Sequence, residues 1–255
     1  MNDPEEIAKR AIGLIDLTNL NDDCTPQDID QLCANAQTPI GPVAAVCVWP
    51  RFVSQSKRLL ANTDIKVATV VNFPHGGTDV KATMHETKDC VANGADEVDL
   101  VFPYQAYADG GVDTAQTMIR TIRATTDGSA LLKVILETGK LADPFLIGEA
   151  SKLALEEGAD FIKTSTGKVE VNATLEAARI MITAIRDFGD HARGFKPAGG
   201  IRTFDDAQNY LSVAAEIMGD GWANKNTFRF GASGLLANLL AKLDLSENDG
   251  SQANY

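Results

Sequence analysis

Two lysines occupy positions where an ammonium group is costly. Lys163 closes the apolar run Ala159-Asp160-Phe161-Ile162-Lys163-Thr164, and Lys196 lies within Arg193-Gly194-Phe195-Lys196-Pro197-Ala198-Gly199-Gly200. Both stretches read as short strands, in which a buried amine needs a partner or a use. The two lysines are 33 residues apart, about one strand, helix, strand unit, so neighbouring parallel strands bring the amines face to face. An ordinary lysine, with a pKa of about 10.4, is neutral in roughly one molecule in 2,500 at pH 7. Burial and a nearby cation both raise that fraction, and a neutral amine adds to a carbonyl to give a Schiff base. The iminium is an electron sink through which a bond to the adjacent carbon breaks or forms. The chemistry indicated is aldol cleavage or addition without a metal.

Such a cycle also needs a proton shuttle. Asp99, in Glu97-Val98-Asp99-Leu100-Val101, is the best-placed acid/base, acting through a water and together with Lys196. The alternative is that Asp99 only forms a buried ion pair with Lys163, Lys196 or Lys133. Further charges recur in strand-like runs: Asp16 in Leu14-Ile15-Asp16-Leu17-Thr18, and Lys133 in the run that ends at Glu137. The only histidines, His75, His85 and His191, form no close ligand cluster with acidic residues, which disfavours a metal-dependent aldolase.

The elements that position these groups follow from the alternation of short apolar stretches with helical periodicity. Strands are expected at residues 13–18, 43–49, 66–73, 97–104, 131–137, 160–165, 194–197 and 228–232. Helical segments separate most of them, for example residues 79–93 and 172–188, the latter capped by Asn172 or Thr174. Eight strands alternating with helices predict an α/β fold, a single (β/α)8 TIM barrel, and 255 residues match its usual size of roughly 250. The repeated Asn93-Gly94-Ala95-Asp96 and Glu157-Gly158-Ala159-Asp160 read as one joint used twice, a glycine ending a helix before a strand begins. A short N-terminal helix is expected after Asp3-Pro4, and residues 244–255 read as a mobile polar tail. No linker divides the chain, so residues 1–255 are expected to be one domain.

A barrel of this kind carries its reactive groups at the C-terminal ends of its strands. Glycines cluster after the last three: Ser165-Thr166-Gly167-Lys168, Gly199-Gly200 and Gly231-Ala232-Ser233-Gly234. Bare N–H groups in such loops bind phosphate, with Lys168 and the Ser233 hydroxyl as further contacts. Elsewhere, the net charge of −12 argues against a nucleic-acid or anionic-membrane partner, and no apolar run is long enough to span a bilayer. Cys24, Cys33, Cys47 and Cys90 contain no Cys-x-x-Cys pair and read as reduced thiols of a cytoplasmic protein, and the N-terminus shows no secretory signal. Cys47, near the rim after strand two, reads as a buried inert thiol or as a site open to reactive aldehydes.

Over almost its whole length the chain resembles the deoxyribose-phosphate aldolases, class I enzymes of deoxynucleoside and deoxyribonucleotide catabolism. The matching pieces are Asp16-Leu17-Thr18, Asn72-Phe73-Pro74-His75-Gly76, Gly94 through Asp99, Leu132 through Thr138, Asp160 through Gly167 and Gly194 through Gly200. The resemblance implies reversible cleavage of 2-deoxy-D-ribose 5-phosphate to acetaldehyde and D-glyceraldehyde 3-phosphate, with no cofactor and small phosphosugars and aldehydes as the only ligands. It makes Lys163 the Schiff-base lysine, Lys196 the lysine that tunes it, and Asp99 the proton-relay acid. It places Asp16, Thr18 and Lys133 near the substrate, and Thr166, Gly167, Lys168, Gly199, Gly200, Gly231, Ser233 and Gly234 in the phosphate-binding stretches. Bacterial members often carry a second serine where this chain has Gly234. Tyr255 matches a final tyrosine that folds over the site in some members, and the resemblance is compatible with a homodimer. The competing readings are another Schiff-base barrel aldolase, such as a transaldolase-like enzyme, and a phosphosugar-binding barrel that has lost turnover.

Overall fold

A computed structural model describes residues 3–244. Among the described residues, eight parallel strands form one sheet: β1 (Ile15–Asn19), β2 (Ala45–Val48), β3 (Lys66–Val71), β4 (Glu97–Val101), β5 (Leu131–Ile135), β6 (Phe161–Lys163), β7 (Gly194–Lys196) and β8 (Phe230–Ala232). Each strand from β1 to β7 pairs with the next, and β8 pairs with β1. Parallel bridges Phe195 to Phe228 and Ala198 to Gly231 join β7 to the last strand and close the ring. The fold is a (β/α)8 TIM barrel.

The helices outside it are α1 (Pro4–Ile12), α2 (Pro26–Asn35), α3 (Val53–Leu59), α4 (Val80–Ala92), α5 (Tyr104–Ala108), α6 (Val112–Thr126), α7 (Thr138–Leu141), α8 (Pro144–Glu156), α9 (Leu175–Phe188), α10 (Phe204–Met218) and α11 (Leu235–Lys242). None is long and apolar enough to cross a membrane. Asp3 caps α1 by accepting from the Glu5 N–H, and Thr174, not Asn172, caps α9. The stretch expected to be strand from 97 to 104 stops at Val101, because Pro103 cannot donate to a ladder and instead precedes α5. Tyr255 and the expected tail, apart from Asp244, lie outside the described residues.

Side-chain alternation along the strands sorts the interior into two environments. Val98 and Leu100 of β4, Leu132 and Val134 of β5, Ile162 of β6 and Phe195 of β7 join the apolar layer between sheet and helices. Their sequence neighbours Glu97, Asp99, Lys133, Lys163 and Lys196 take the opposite face and meet inside the barrel. Cys47, Ala68 and Val70 pack together with Leu20 in a separate apolar cluster. The ring of Phe161 lies 6.0 Å from the Lys133 Nζ and 5.7 Å from the Arg229 guanidinium carbon. It fits there because residue 194 on the neighbouring strand is glycine: a Cβ would come within 2.3 Å of the ring.

The twice-used helix-to-strand joint has a definite function. Gly94 and Gly158 take φ of 95° and 92°, a region open to glycine. The aspartate that follows then clamps the start of the preceding strand. Asp96 accepts from the Val67 N–H at 2.8 Å, and Asp160 accepts from the Leu132 N–H at 2.8 Å. Lys57 completes the first joint and Arg123 the second, so each clamp is also an ion pair.

Candidate active site

Seven charged side chains form a continuous buried layer inside the barrel. Asp99 stands at its centre: its Oδ2 accepts from Lys163 at 2.7 Å and from Lys196 at 2.8 Å, and its Oδ1 from Lys133 at 2.9 Å. Asp16 accepts from Lys196 at 2.5 Å and from Arg229 at 2.7 Å. Glu97 accepts from Lys133 at 2.5 Å and from both terminal nitrogens of Arg229, at 3.2 and 2.8 Å. Register places Lys163 directly opposite Lys196, and Asp99 directly opposite Lys133, as the sheet requires for these contacts. The layer holds four basic side chains and three carboxylates. In a medium of low dielectric such an excess is relieved when one amine gives up its proton.

The amine under that pressure is Lys163. Burial, assisted by the Lys196 charge, lowers its pKa against the opposing pull of Asp99. For Lys196, burial is outweighed by Asp16 and Asp99, and the pKa is raised. Lys133 is likewise raised, burial being overcome by Asp99 and Glu97. Burial favours protonation of Asp99, but Lys133, Lys163 and Lys196 together hold it well below the usual carboxylate range. The two lysines are thus shifted in opposite directions, and at Lys163 burial is a larger cause than the neighbouring ammonium. Asp99 is the ion-pair partner of Lys133, Lys163 and Lys196 and lies where the last two meet.

Above this layer an open cleft of about 1630 Å³ occupies the C-terminal mouth of the barrel. Lys163 is the only member of the charged layer that lines it. Thr18, Thr166, Gly167, Lys168, Gly199, Gly200, Gly231, Ser233 and Gly234 also line it. Asp16 and Lys133, expected near the substrate, lie in the layer beneath, fully buried and bonded to other charges. Their strand positions explain this: both are inward-facing but precede the strand ends. Cys47 is also fully buried, and burial pushes its thiol pKa up. Among the described residues, no group of three or more His, Cys, Asp or Glu side chains is placed to hold a metal ion.

The glycine-rich loops differ in how much of their backbone is already engaged. Thr203 caps α10 in a reciprocal capping box with Asp206, and Thr174 caps α9. By contrast α11 follows Gly234 with no side-chain cap, and its start lines the cleft beside Ser233. Gly199 and Gly200 turn through φ of 83° and 85°, and a Cβ on Gly199 would come within 2.7 Å of Asn172. The loop after β6 is held by Glu137, whose carboxylate accepts from the Thr166 N–H at 3.2 Å and its hydroxyl at 2.5 Å. Glu137 adopts φ 54°, ψ 57°, a left-handed conformation that costs a non-glycine residue about 1 kcal/mol. The two bonds to Thr166 hold it there.

Arg229 and Glu97 were not singled out from the sequence. Arg229 lies between Phe228 and Phe230, the same pattern of a lone charge in an apolar run that marked Lys163. Glu97 lies two residues before Asp99 and so on the same strand face, which period-two reading would have revealed.

A barrel whose mouth is served by one amine from a buried lysine cluster defines the class: a β/α-barrel aldolase. The chain belongs to the DeoC/LacD family of aldolases, whose profile matches residues 10–241. A deoxyribose-phosphate aldolase of Agrobacterium fabrum is 51% identical over 253 residues, covering 99% of this chain and 97% of that one. The crystal structure of a Coccidioides immitis protein proposed to be a deoxyribose-phosphate aldolase superposes with a TM-score of 0.81 at 31% identity, covering 93% of this chain and 87% of the other. The deoxyribose phosphate aldolase of Aeropyrum pernix, described as a tetramer, shares the fold at a TM-score of 0.74 and 23% identity, covering 96% and 94%.

Proposed function

We propose that this aldolase reversibly cleaves 2-deoxy-D-ribose 5-phosphate to acetaldehyde and D-glyceraldehyde 3-phosphate through an imine on Lys163. The single observation that carries this reading is the geometry of Lys163. It alone of the seven layered charges opens onto the cleft, and its pKa is lowered. The neutral amine adds to the C1 aldehyde, and loss of water gives the iminium. Removal of the C3 hydroxyl proton lets the C2–C3 bonding pair move into the C1–C2 enamine, releasing glyceraldehyde phosphate. Protonation at C2 and addition of water then free acetaldehyde and regenerate the amine. Asp99 and Lys196, hydrogen-bonded to one another next to Lys163, are the groups proposed to relay these protons through water. Four free, buried cysteines suit a reducing compartment such as the cytoplasm.

The phosphate is assigned to the loops bearing Gly167, Gly200 and Ser233 and to the uncapped start of α11, with Lys168 at the rim. Lys168 already lies 3.6 Å from Asp22, a half-exposed pairing that a phosphate dianion displaces readily. Trapping tests the whole reading: acetaldehyde with cyanoborohydride is expected to leave a single ethyl adduct on the peptide bearing Lys163. An unmodified protein, or an adduct elsewhere, refutes it.

Gly234 sets a further expectation. Its backbone, φ −90° and ψ −13°, suits any residue, and a Cβ there meets nothing within 4 Å. Gly234→Ser therefore adds a hydroxyl donor without strain. The ratio of kcat/KM for deoxyribose 5-phosphate over free deoxyribose is expected to rise by about tenfold, the value of one added hydrogen bond to a charged group. An unchanged ratio removes position 234 from the phosphate site.

A further inference from the structure

Arg229 touches neither Lys163 nor the cleft, yet it carries one of the four positive charges of the buried layer. Its guanidinium spans Asp16 and Glu97, gripping Asp16 by one oxygen while Lys196 takes the other. Glu97 in turn holds Lys133, which binds the second oxygen of Asp99. Asp99, the one layer charge bonded to Lys163, is held in turn by Lys133 and Lys196, and these are tied to the Arg229 and Glu97 pair through Glu97 and Asp16. We propose that Arg229 and Glu97 are positioning residues that set the charge balance of the layer, and thereby decide that Lys163 carries the unprotonated amine.

The argument rests on geometry and counting. All seven groups are nearly or wholly out of water, so solvent screens their interactions little. With four bases and three acids the layer is neutral when one base has lost its proton. Three of the bases have two or three carboxylate contacts within the layer, whereas Lys163 has the single bond to Asp99. Arg229 supplies the fourth positive charge from a group that does not itself deprotonate. The remaining titratable neighbours of Lys163 come from other elements: Cys47 on β2, and Glu137 at the end of the β5 run. Burial pushes both toward their uncharged forms, and Glu137 bonds to Thr166 and not to the layer. Neither changes between the variants below, so the sign of each expected shift is independent of them.

The inference builds on Lys163 as the imine-forming residue, and its test reads the two ideas separately. In the full-length protein, the rate of cyanoborohydride trapping with acetaldehyde is followed against pH, with peptide mapping of the adduct. A wild-type adduct at Lys163 secures the first; the midpoints of the variants decide the second. Glu97→Gln removes a negative charge, and its trapping midpoint is expected to fall by about one pH unit. Arg229→Met removes a positive charge, and its midpoint is expected to rise by a similar amount. The combined Glu97→Gln, Arg229→Met protein keeps the original excess of one, and its midpoint returns toward wild type. Arg229→Lys keeps the charge and leaves the midpoint in place. Should Arg229→Met fail to fold, the near-isosteric Glu97→Gln still decides by its sign. Shifts of the two single variants in the same direction, or lower yields at an unmoved midpoint, overturn the proposal and leave the pair a structural brace.

Discussion

Lys163→Leu is expected to abolish imine trapping altogether and to lower kcat/KM by on the order of 10⁴-fold or more, because covalent catalysis has no second amine to use. Lys196 and Lys133 are buried, raised in pKa and tied to two or three carboxylates each, so neither substitutes for the lost nucleophile. The fold should survive, since Asp99 keeps Lys133 at 2.9 Å and Lys196 at 2.8 Å. Stability offers an independent reading of the same residue. A lysine whose folded pKa is lowered binds fewer protons folded than unfolded between that pKa and about 10.4, so folding gains as pH rises through this window. The wild type is therefore expected to gain on Lys163→Leu in urea midpoint as pH is raised toward 10. Residual trapping in the variant, mapped to another lysine, would falsify the assignment of the nucleophile.

Candidate site residues were visible in the sequence where a charge interrupts an apolar run, because burying an unpaired ion is costly enough to demand an explanation. Lys163, Lys196, Lys133 and Asp99 all carry that mark, and in the structure register brings them together inside the barrel. The same mark at Arg229 passed unread between two phenylalanines, and with it went the fourth cation that makes the layer's charge uneven. The depth of each residue was less visible. Asp16 and Lys133 were expected near the substrate and lie in the layer beneath the cleft; depth along a barrel strand depends on stagger between strands, which one strand's own residues do not encode. The loops were the least legible. Glu137 enters a left-handed turn because the loop bearing Thr166 arrives to bond it, a partner 29 positions away. Likewise the short antiparallel pair Gln37–Thr38 and Gly41–Pro42 forms beyond α2 where the sequence offered no alternation long enough to mark it.

Lys196→Leu is expected to behave differently from Lys163→Leu, and the difference follows from which carboxylates each amine serves. Lys196 bridges Asp16 and Asp99, so its loss leaves two buried carboxylates each short of a partner, at a cost of about 3 kcal/mol or more. Both retain other partners, Asp16 with Arg229 and Asp99 with Lys133, which keeps the folded state within reach. The Asp99 oxygen that Lys196 shared then belongs to Lys163 alone. With one cation gone and its carboxylate undivided, Lys163 holds its proton more tightly, the reverse of its lowered state in the intact layer. The expected result is a site that still accepts substrate, with KM changed little, while kcat falls by on the order of 10² to 10⁴-fold as imine formation and proton relay both suffer. Raising the pH should recover trapping at Lys163, since deprotonation replaces what the missing ammonium did by repulsion. A variant that traps at neutral pH as fast as the wild type would show that burial alone keeps Lys163 reactive, and that Lys196 serves only in the relay.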